Sequence, residues 1–390
     1  MKKIIIALLG AGILILIVVA GLRYSDRNNE PALTAEQTNN TPTPSASPAS
    51  TTATASPKAP IDTKVSVVAQ NLTIPWDIAF LPEGGMLVTE RPGRLVHFAQ
   101  DGTKKSIVIE NVRTTGESGL LGVTLHPDFE QNRMLYLYIT QASGGGLINR
   151  VERYVYREGK LSDRKTIITN IPGALYHDGG RMEFGPDGLL YITTGDATNE
   201  HIAQDKNSLG GKVLRLNADG TIPPSNPFGT AVYSFGHRNS QGLAWDPEGR
   251  LWSTEHGRSG IQSGLDEINL IVAGANYGWP TIEGNETQAG MTAPALHSGA
   301  SATWAPASAL YWDGSLFFGG LRGQGLYEAK LEGTKVVSLK KHFSDEYGRI
   351  RTVRLGPDGM FYFTTSNKDN RGSIKPNDDK ILKVNPARFR

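Results

Sequence analysis

A strand–turn–strand unit returns six times along this chain, and that recurrence limits the fold more than any other feature. IAFLPEGGMLVTE begins at Ile78, VTLHPDFEQNRMLYLYIT at Val123, MEFGPDGLLYITTGD at Met182, LAWDPEGRLWSTEHG at Leu243, ALYWDGSLFFGG at Ala309 and VRLGPDGMFYFTTSN at Val353. In each, a short β-branched or aromatic run meets a turn rich in Pro, Asp, Glu or Gly and then a second such run, the pattern of a hairpin. The turns fall at Pro82, Pro127, Pro186, Pro247, Trp312 and Pro357, at intervals of 45, 59, 61, 65 and 45 residues. Each interval has room for about four strands, and helical periodicity is nearly absent from Val65 on. Six such units predict an all-β fold: a six-bladed β-propeller of four-stranded antiparallel blades over residues 65–390. A β-sandwich or barrel is the alternative, but it leaves the sixfold return of one hairpin unexplained. In a propeller the loops of one face converge on a central channel, which is where chemistry is expected.

The first 64 residues have a different character. Lys2 and Lys3 precede an uncharged apolar run from Ile4 to Leu22, nineteen residues long. That length spans a bilayer as a helix and exceeds a usual signal-peptide core. Residues 1–27 are therefore expected to be a hydrophobic helix, either an uncleaved signal-anchor or a cleaved signal peptide. Residues 28–64 contain TPTPSASPASTTATASPKAP, a Pro/Ser/Thr-rich stretch with too little apolar surface to fold, and are expected to be a disordered linker. The positive-inside rule puts the body outside the cytoplasm, at the cell surface or in the periplasm, and secreted if the segment is cleaved.

Charge and cysteine content remove several function classes. From Val65 on, 34 basic and 34 acidic groups balance, so nothing points to a nucleic-acid partner, and membrane contact is expected through the N-terminal segment only. With no Cys there is no disulfide framework, thiolate metal site, iron–sulfur cluster or cysteine nucleophile. G-x-S-x-G, the P-loop, H-E-x-x-H and a strand–GxGxxG–helix unit are all missing.

Four stretches carry candidate chemistry. In YHDGGRMEFGPDGLLYITTGD, His177 precedes one strand of a hairpin and Asp196 follows the other, so the two ends come back near each other. A His–Asp hydrogen bond would fix the tautomer of a general base; a turn His beside a turn Asp meets the same spacing. VYSFGHRNSQGLAWD packs His237, Arg238, Asn239 and Gln241 between apolar runs, either a functional mouth or a solvated loop. Asp266, Glu267, Asn269 and Asn276 are hard oxygen donors suited to Ca²⁺, although their spacing is not an EF-hand; an acidic turn cluster is the other reading. In YGRIRTVR, alternation puts Arg349 and Arg351 on one face, where a ligand with carboxylates would satisfy both, and Arg322 joins them if the last two blades are adjacent. A solvated basic edge strand is the alternative.

Together, SGLLGVTLHPDF, YHDGGRMEFGPDGLLYITTGD, LGGKVLRLNADG, SFGHRNSQGLAW, DEINLIVAGANYGWP and GRIRTV resemble, in order, the soluble aldose sugar dehydrogenases. Those belong to the glucose/sorbosone dehydrogenase family, six-bladed propellers that use pyrroloquinoline quinone and Ca²⁺. The resemblance covers roughly residues 65–388. It implies oxidation of aldose sugars at the anomeric carbon to lactones, with hydride passing to the quinone and electrons to an external acceptor. It further implies that His177 is the general base, Asp196 its orienting carboxylate, and Arg238 and Asn239 the contacts of the quinone oxygens. Arg349 and Arg351, with Arg322, resemble the residues that hold the cofactor's carboxylates. Tyr176 and Glu117 fall where the family contacts the sugar. The carbonyls of Gly257 and Arg258 match a cofactor-side Ca²⁺ site, and Glu267 and Tyr277 a second, structural one.

Three positions depart from the family's pattern: Glu117 replaces a Gln, Arg322 replaces the Lys of some members, and Thr352 stands where an Asp often follows the R-x-R pair. Two other functions remain compatible with a propeller: a non-catalytic extracellular binding domain, and a Ca²⁺-dependent lactonase-type hydrolase.

Overall fold

The computed structural model describes residues 62–390. The expected leader and nearly all of the expected linker lie outside them. Six four-stranded antiparallel sheets follow one another around a ring, so the expected propeller is the fold. The six sequence repeats are the first hairpins of the six blades. They are Pro75–Phe80 with Met86–Glu90, Leu120–Leu125 with Met134–Ser143, and Met182–Phe184 with Leu190–Thr193. Ser240–Trp245 with Leu251–Glu255, Pro306–Trp312 with Ser315–Gly320, and Ile350–Leu355 with Phe361–Thr365 complete the ring.

The last blade is closed by the other end of the folded body. Its outermost strand is Ser66–Ala69, which pairs antiparallel with Ile381–Val384 and sets Ser66 opposite Lys383. A ring built this way leaves no gap between its first and last blades.

Apolar side chains sit mainly between blades, in six clusters that match the six blade interfaces. At one, Phe361 meets Trp312, Phe317 and Phe389 with ring centroids 5.4, 5.0 and 5.6 Å apart. Full burial of a side chain that size contributes roughly 1.5–3 kcal/mol, and Phe361→Ala there costs about 3–5 kcal/mol.

Near the channel the backbones approach too closely for ordinary side chains. A Cβ on Gly319 would lie 2.5 Å from the carbonyl of Ile350, and one on Gly242 would lie 2.6 Å from that of Ala307. In five blades the pairing register also slips at the start of the first hairpin, as between Ser240 and Gly242 and between Ile350 and Val353. Bulges re-aim side chains. Here they fall where the inner strands meet the loops of one face.

The R-x-R segment divides at such a point. Arg349 and Arg351 turn toward a cavity, whereas Arg354 pairs with Asp77 at 3.1 Å and Glu183 at 2.6 Å. Asp77 also takes the buried Arg181 at 2.5 Å, whose guanidinium lies 4.3 Å over Trp76. This ion network ties blades one, three and six across the channel. Arg354 is thus separate from the two arginines beside which it stands in sequence.

Candidate active site

The loops of one face enclose a cavity of about 700 Å³. His177, Arg238, Arg322, Arg349, Arg351, Glu117 and Tyr176 all line it, as do Gly257 and Arg258. Asp196 and Asn239 stand directly behind this wall. The hairpin geometry anticipated for His177 and Asp196 is present: imidazole Nδ1 and carboxylate Oδ1 are 2.7 Å apart. The buried carboxylate accepts the Nδ1–H hydrogen bond and leaves Nε2 as the free ring nitrogen. Its other oxygen accepts the indole N–H of Trp279 at 2.8 Å, and Oδ1 also accepts the amide of Thr198 at 2.8 Å.

Backbone geometry holds this pair in place. His177 has φ +64°, a left-handed conformation that a non-glycine residue keeps only under tertiary constraint. A Cβ on Gly195 would lie 1.8 Å from the His177 carbonyl, so only glycine lets the two segments touch. The amide of Asp196 donates to the Arg238 carbonyl at 2.8 Å, joining the dyad to the next blade.

Arg238 and Asn239 present donors with no protein partner among the described residues. Arg238 Nε and Asn239 Nδ2 are both buried and unbonded, and so is His256 Nε2 beside them. The Arg238 guanidinium is otherwise held by the Ser259 hydroxyl at 2.9 Å and lies 5.3 Å over Trp279. Burial lowers its pKa from the usual arginine value, and burial brings His256 down to about 4, which keeps that imidazole neutral.

Arg349 and Arg351 converge as alternation suggested, and a protein carboxylate already lies between them. Asp369 Oδ2 accepts from Arg349 Nη2 at 2.7 Å and stands 3.7 Å from Arg351 Nη2. Arg351 Nη1 reaches Gln241 Oε1 at 3.2 Å. Thr352 takes no part, donating instead to the Trp76 carbonyl at 2.6 Å. The loss of an Asp at position 352 therefore does not strip the arginines of a counter-charge. Among the described residues, Arg322, at the exposed rim, donates only to the Gly260 carbonyl, at 3.4 Å.

The proposed metal ligands separate into open and committed atoms. Asp266 is spent on the fold: Oδ1 accepts the Gly257 amide, and Oδ2 accepts Thr303 Oγ1 and the amides of Trp304 and Ala305. Asn276 is locked in a reciprocal amide pair with Gln204. Glu267 faces Glu255 across adjacent strands, and burial, followed by that neighbour's charge, pushes it up to about 8. Asn269 beside it donates to Glu267 at 3.1 Å while its Oδ1 is buried and unbonded. These oxygens suit a cation. The Tyr277 hydroxyl does not: it donates to the Leu270 carbonyl at 2.5 Å and accepts the Val272 amide at 2.9 Å, which leaves the Tyr277 carbonyl for that role. Arg258 extends its side chain to Glu283, and its carbonyl accepts the Gly264 amide at 3.4 Å.

Asp369, Arg371, Arg91, His256 and Trp279 were not anticipated as site residues. Asp369 and Arg371 follow the return strand of the sixth hairpin, in TTSNKDNRG, just as Asp196 follows that of the third, in TTGD. Comparing what comes after each hairpin would have found them.

Among the described residues, seven arginines line the cavity against three carboxylates, beside a His–Asp pair whose Asp is buried, in the channel mouth of a six-bladed propeller. That combination defines a propeller with an arginine-rich cavity beside a carboxylate-paired imidazole. The chain belongs to the glucose/sorbosone dehydrogenase family, whose model matches residues 72–375. It is 32% identical over 363 residues to the aldose sugar dehydrogenase YliI of Escherichia coli, covering 84% of this chain and 94% of that one. Quinoprotein glucose dehydrogenase B of Acinetobacter calcoaceticus is 34% identical over 260 residues, 57% of this chain and 54% of that one. Among solved structures, the PQQ-bound aldose sugar dehydrogenase of Streptomyces coelicolor is 39% identical, with a TM-score of 0.76 over 84% of this chain and 99% of that one. The protein is an oxidoreductase of the sugar dehydrogenase class.

Proposed function

We propose that this protein oxidises aldoses at the anomeric carbon to lactones, using bound pyrroloquinoline quinone and Ca²⁺. The observation that carries the reading is the His177–Asp196 pair facing a cavity in which guanidinium groups outnumber carboxylates. A planar tricarboxylate suits that cavity, and the unbonded donors Arg238 Nε and Asn239 Nδ2 suit quinone oxygens. Arg349, Arg351 and Arg322 would hold the carboxylates. The carbonyls of Gly257 and Arg258 would hold the Ca²⁺ beside the cofactor, and Glu267 with Tyr277 a second Ca²⁺. When bound, the quinone with its Ca²⁺ supplies the acceptor for the hydride lost from C1.

The protein's own part is proton transfer and positioning. His177 Nε2 takes the proton of the anomeric hydroxyl, and Asp196 holds the ring in the productive tautomer and stabilises the resulting imidazolium. Arg238 places positive charge next to the reacting centre. Oxidation releases two electrons and two protons per sugar, so an external acceptor completes the cycle. We place this chemistry outside the cytoplasm, on a body tethered through residues 1–27.

The test is reconstitution of the purified protein. Dye reduction by an aldose panel should require both pyrroloquinoline quinone and Ca²⁺, and calorimetry should show the quinone binding. Absence of both signals, or lactone hydrolysis without the quinone, refutes the proposal.

A further inference from the structure

Arg371 connects parts of the site that lie far apart in sequence. The loop after the sixth hairpin provides Asp369, which gathers Arg349 and Arg351, and two residues later Arg371, whose amide is fixed by Asp369 Oδ1 at 3.1 Å. The Arg371 guanidinium then crosses the cavity mouth to Glu117 Oε1 in blade two's approach loop. The other Glu117 oxygen accepts the backbone N–H of His177 at 3.2 Å, and the Glu117 amide donates to the Leu175 carbonyl at 2.7 Å. The same guanidinium lies 5.1 Å over the ring of Tyr176.

Both Glu117 oxygens are therefore engaged by protein donors. Burial works to raise this carboxyl, but His256, Arg371 and the His177 amide and ring outweigh it and bring it down to about 2. A glutamine could accept the His177 amide, but it could not form the ion pair. The acidic residue and the arginine suit each other. Arg371, half-exposed, keeps Nε and one terminal nitrogen free of protein hydrogen bonds among the described residues, beside the flat face of Tyr176. A donor fork fixed on an aromatic ring at the cavity mouth, with free N–H groups, matches the hydroxyls of a sugar.

We infer that Arg371 is a substrate-positioning residue: paired to Glu117 and stacked on Tyr176, it offers its free N–H groups to the aldose ring hydroxyls while Glu117 holds the His177 backbone. The inference rests on the proposed sugar oxidation and names the group that reads the sugar away from the anomeric carbon.

The experiment uses Arg371→Met and Glu117→Gln, alone and together, in the full chain loaded with pyrroloquinoline quinone and Ca²⁺, with glucose as the probe. Arg371→Met should raise KM about tenfold, the usual loss for a charge-assisted hydrogen bond, while kcat falls less than about threefold. Cofactor affinity, read by fluorescence titration without sugar, should change less than about twofold. Glu117→Gln should raise KM by freeing the fork, and the double variant should exceed Arg371→Met by less than about twofold. Arg371→Lys, which keeps the charge without the planar fork, should recover only part of the lost affinity. An unchanged KM overturns the inference, as does a kcat loss with equal damage to cofactor binding. If Arg371→Met does not fold, a wild-type KM in Glu117→Gln overturns it alone. Failure of the wild-type protein to oxidise glucose or any other aldose instead overturns the proposed function.

Discussion

Nδ1 of His177 stands 2.7 Å from Oδ1 of Asp196, and the second oxygen of that carboxylate is held by the indole N–H of Trp279 at 2.8 Å. The imidazole is thus oriented by a carboxylate that is itself oriented from a third segment. Replacing His177 with Ala should lower kcat by about 10²–10⁴-fold with cofactor binding retained. Trp279→Phe leaves the dyad but removes one support of Asp196, and should cost about three- to tenfold, since geometry rather than a reacting group is lost. Steady-state kinetics on the loaded enzyme decides. A Trp279→Phe loss as large as that of His177→Ala would show that the indole acts on the reactants directly.

The hairpin repeats made the architecture legible, because each turn rich in Pro, Asp, Glu or Gly is a local signal and six of them fix the blade count. The His177–Asp196 approach was legible for the same reason, as both residues belong to one hairpin. What escaped, apart from the gathering of Arg322 with Arg349 and Arg351, were the contacts between blades. Asp369 reaches Arg349 and Arg351 from a later loop, and Arg371 meets Glu117 across 254 positions, which no local spacing encodes. The closing strand Ser66–Ala69 escaped too: its four residues carry no turn, and its partner lies at the other end of the chain.

The anion clamp gives a second prediction. Asp369 offsets one of the two charges of Arg349 and Arg351, and all three are buried. Asp369→Asn removes that charge without changing shape, leaving two guanidinium groups uncompensated. The cofactor-free protein should lose about 3–5 kcal/mol, the cost of breaking a buried pair from one side. The quinone's carboxylates should restore part of the loss, so its thermal stabilisation of the variant should exceed that of wild type. Melting with and without pyrroloquinoline quinone measures both. Equal shifts in the two proteins would mean that the carboxylates do not reach this pair.

A third prediction concerns pH. Asp178, next to His177 in sequence, is buried with Oδ2 unbonded, and burial pushes its carboxyl up to about 7. Asn149 Nδ2 and the Ala174 amide donate to Oδ1, and Arg91 opposes the shift without cancelling it. The folded protein therefore binds this proton more tightly than the unfolded chain, which releases it near pH 4. Asp178's contribution to stability is whole below that value and falls away as pH rises toward about 7, by on the order of 4 kcal/mol in all. Asp178→Asn cannot ionise, so its stability relative to wild type should rise between pH 5 and 8. Urea unfolding of the cofactor-free proteins at several pH values tests this; parallel curves would place the titration elsewhere.

The ring closure supplies the last prediction. Ser66 and Lys383 oppose each other in antiparallel register, a spacing that a disulfide can bridge. The protein has no cysteine of its own, so Ser66→Cys with Lys383→Cys creates a single possible bond. It joins the first described strand to the last strand of the body, closing the longest loop in the fold. Such a link should add about 2–4 kcal/mol, most of it by restricting the unfolded chain. Melting should shift upward under oxidising conditions and return on reduction, with kinetics unchanged, because neither residue lines the cavity. If the oxidised variant forms its bond yet melts with the reduced one, separation of these two strands is not part of the unfolding that melting reports.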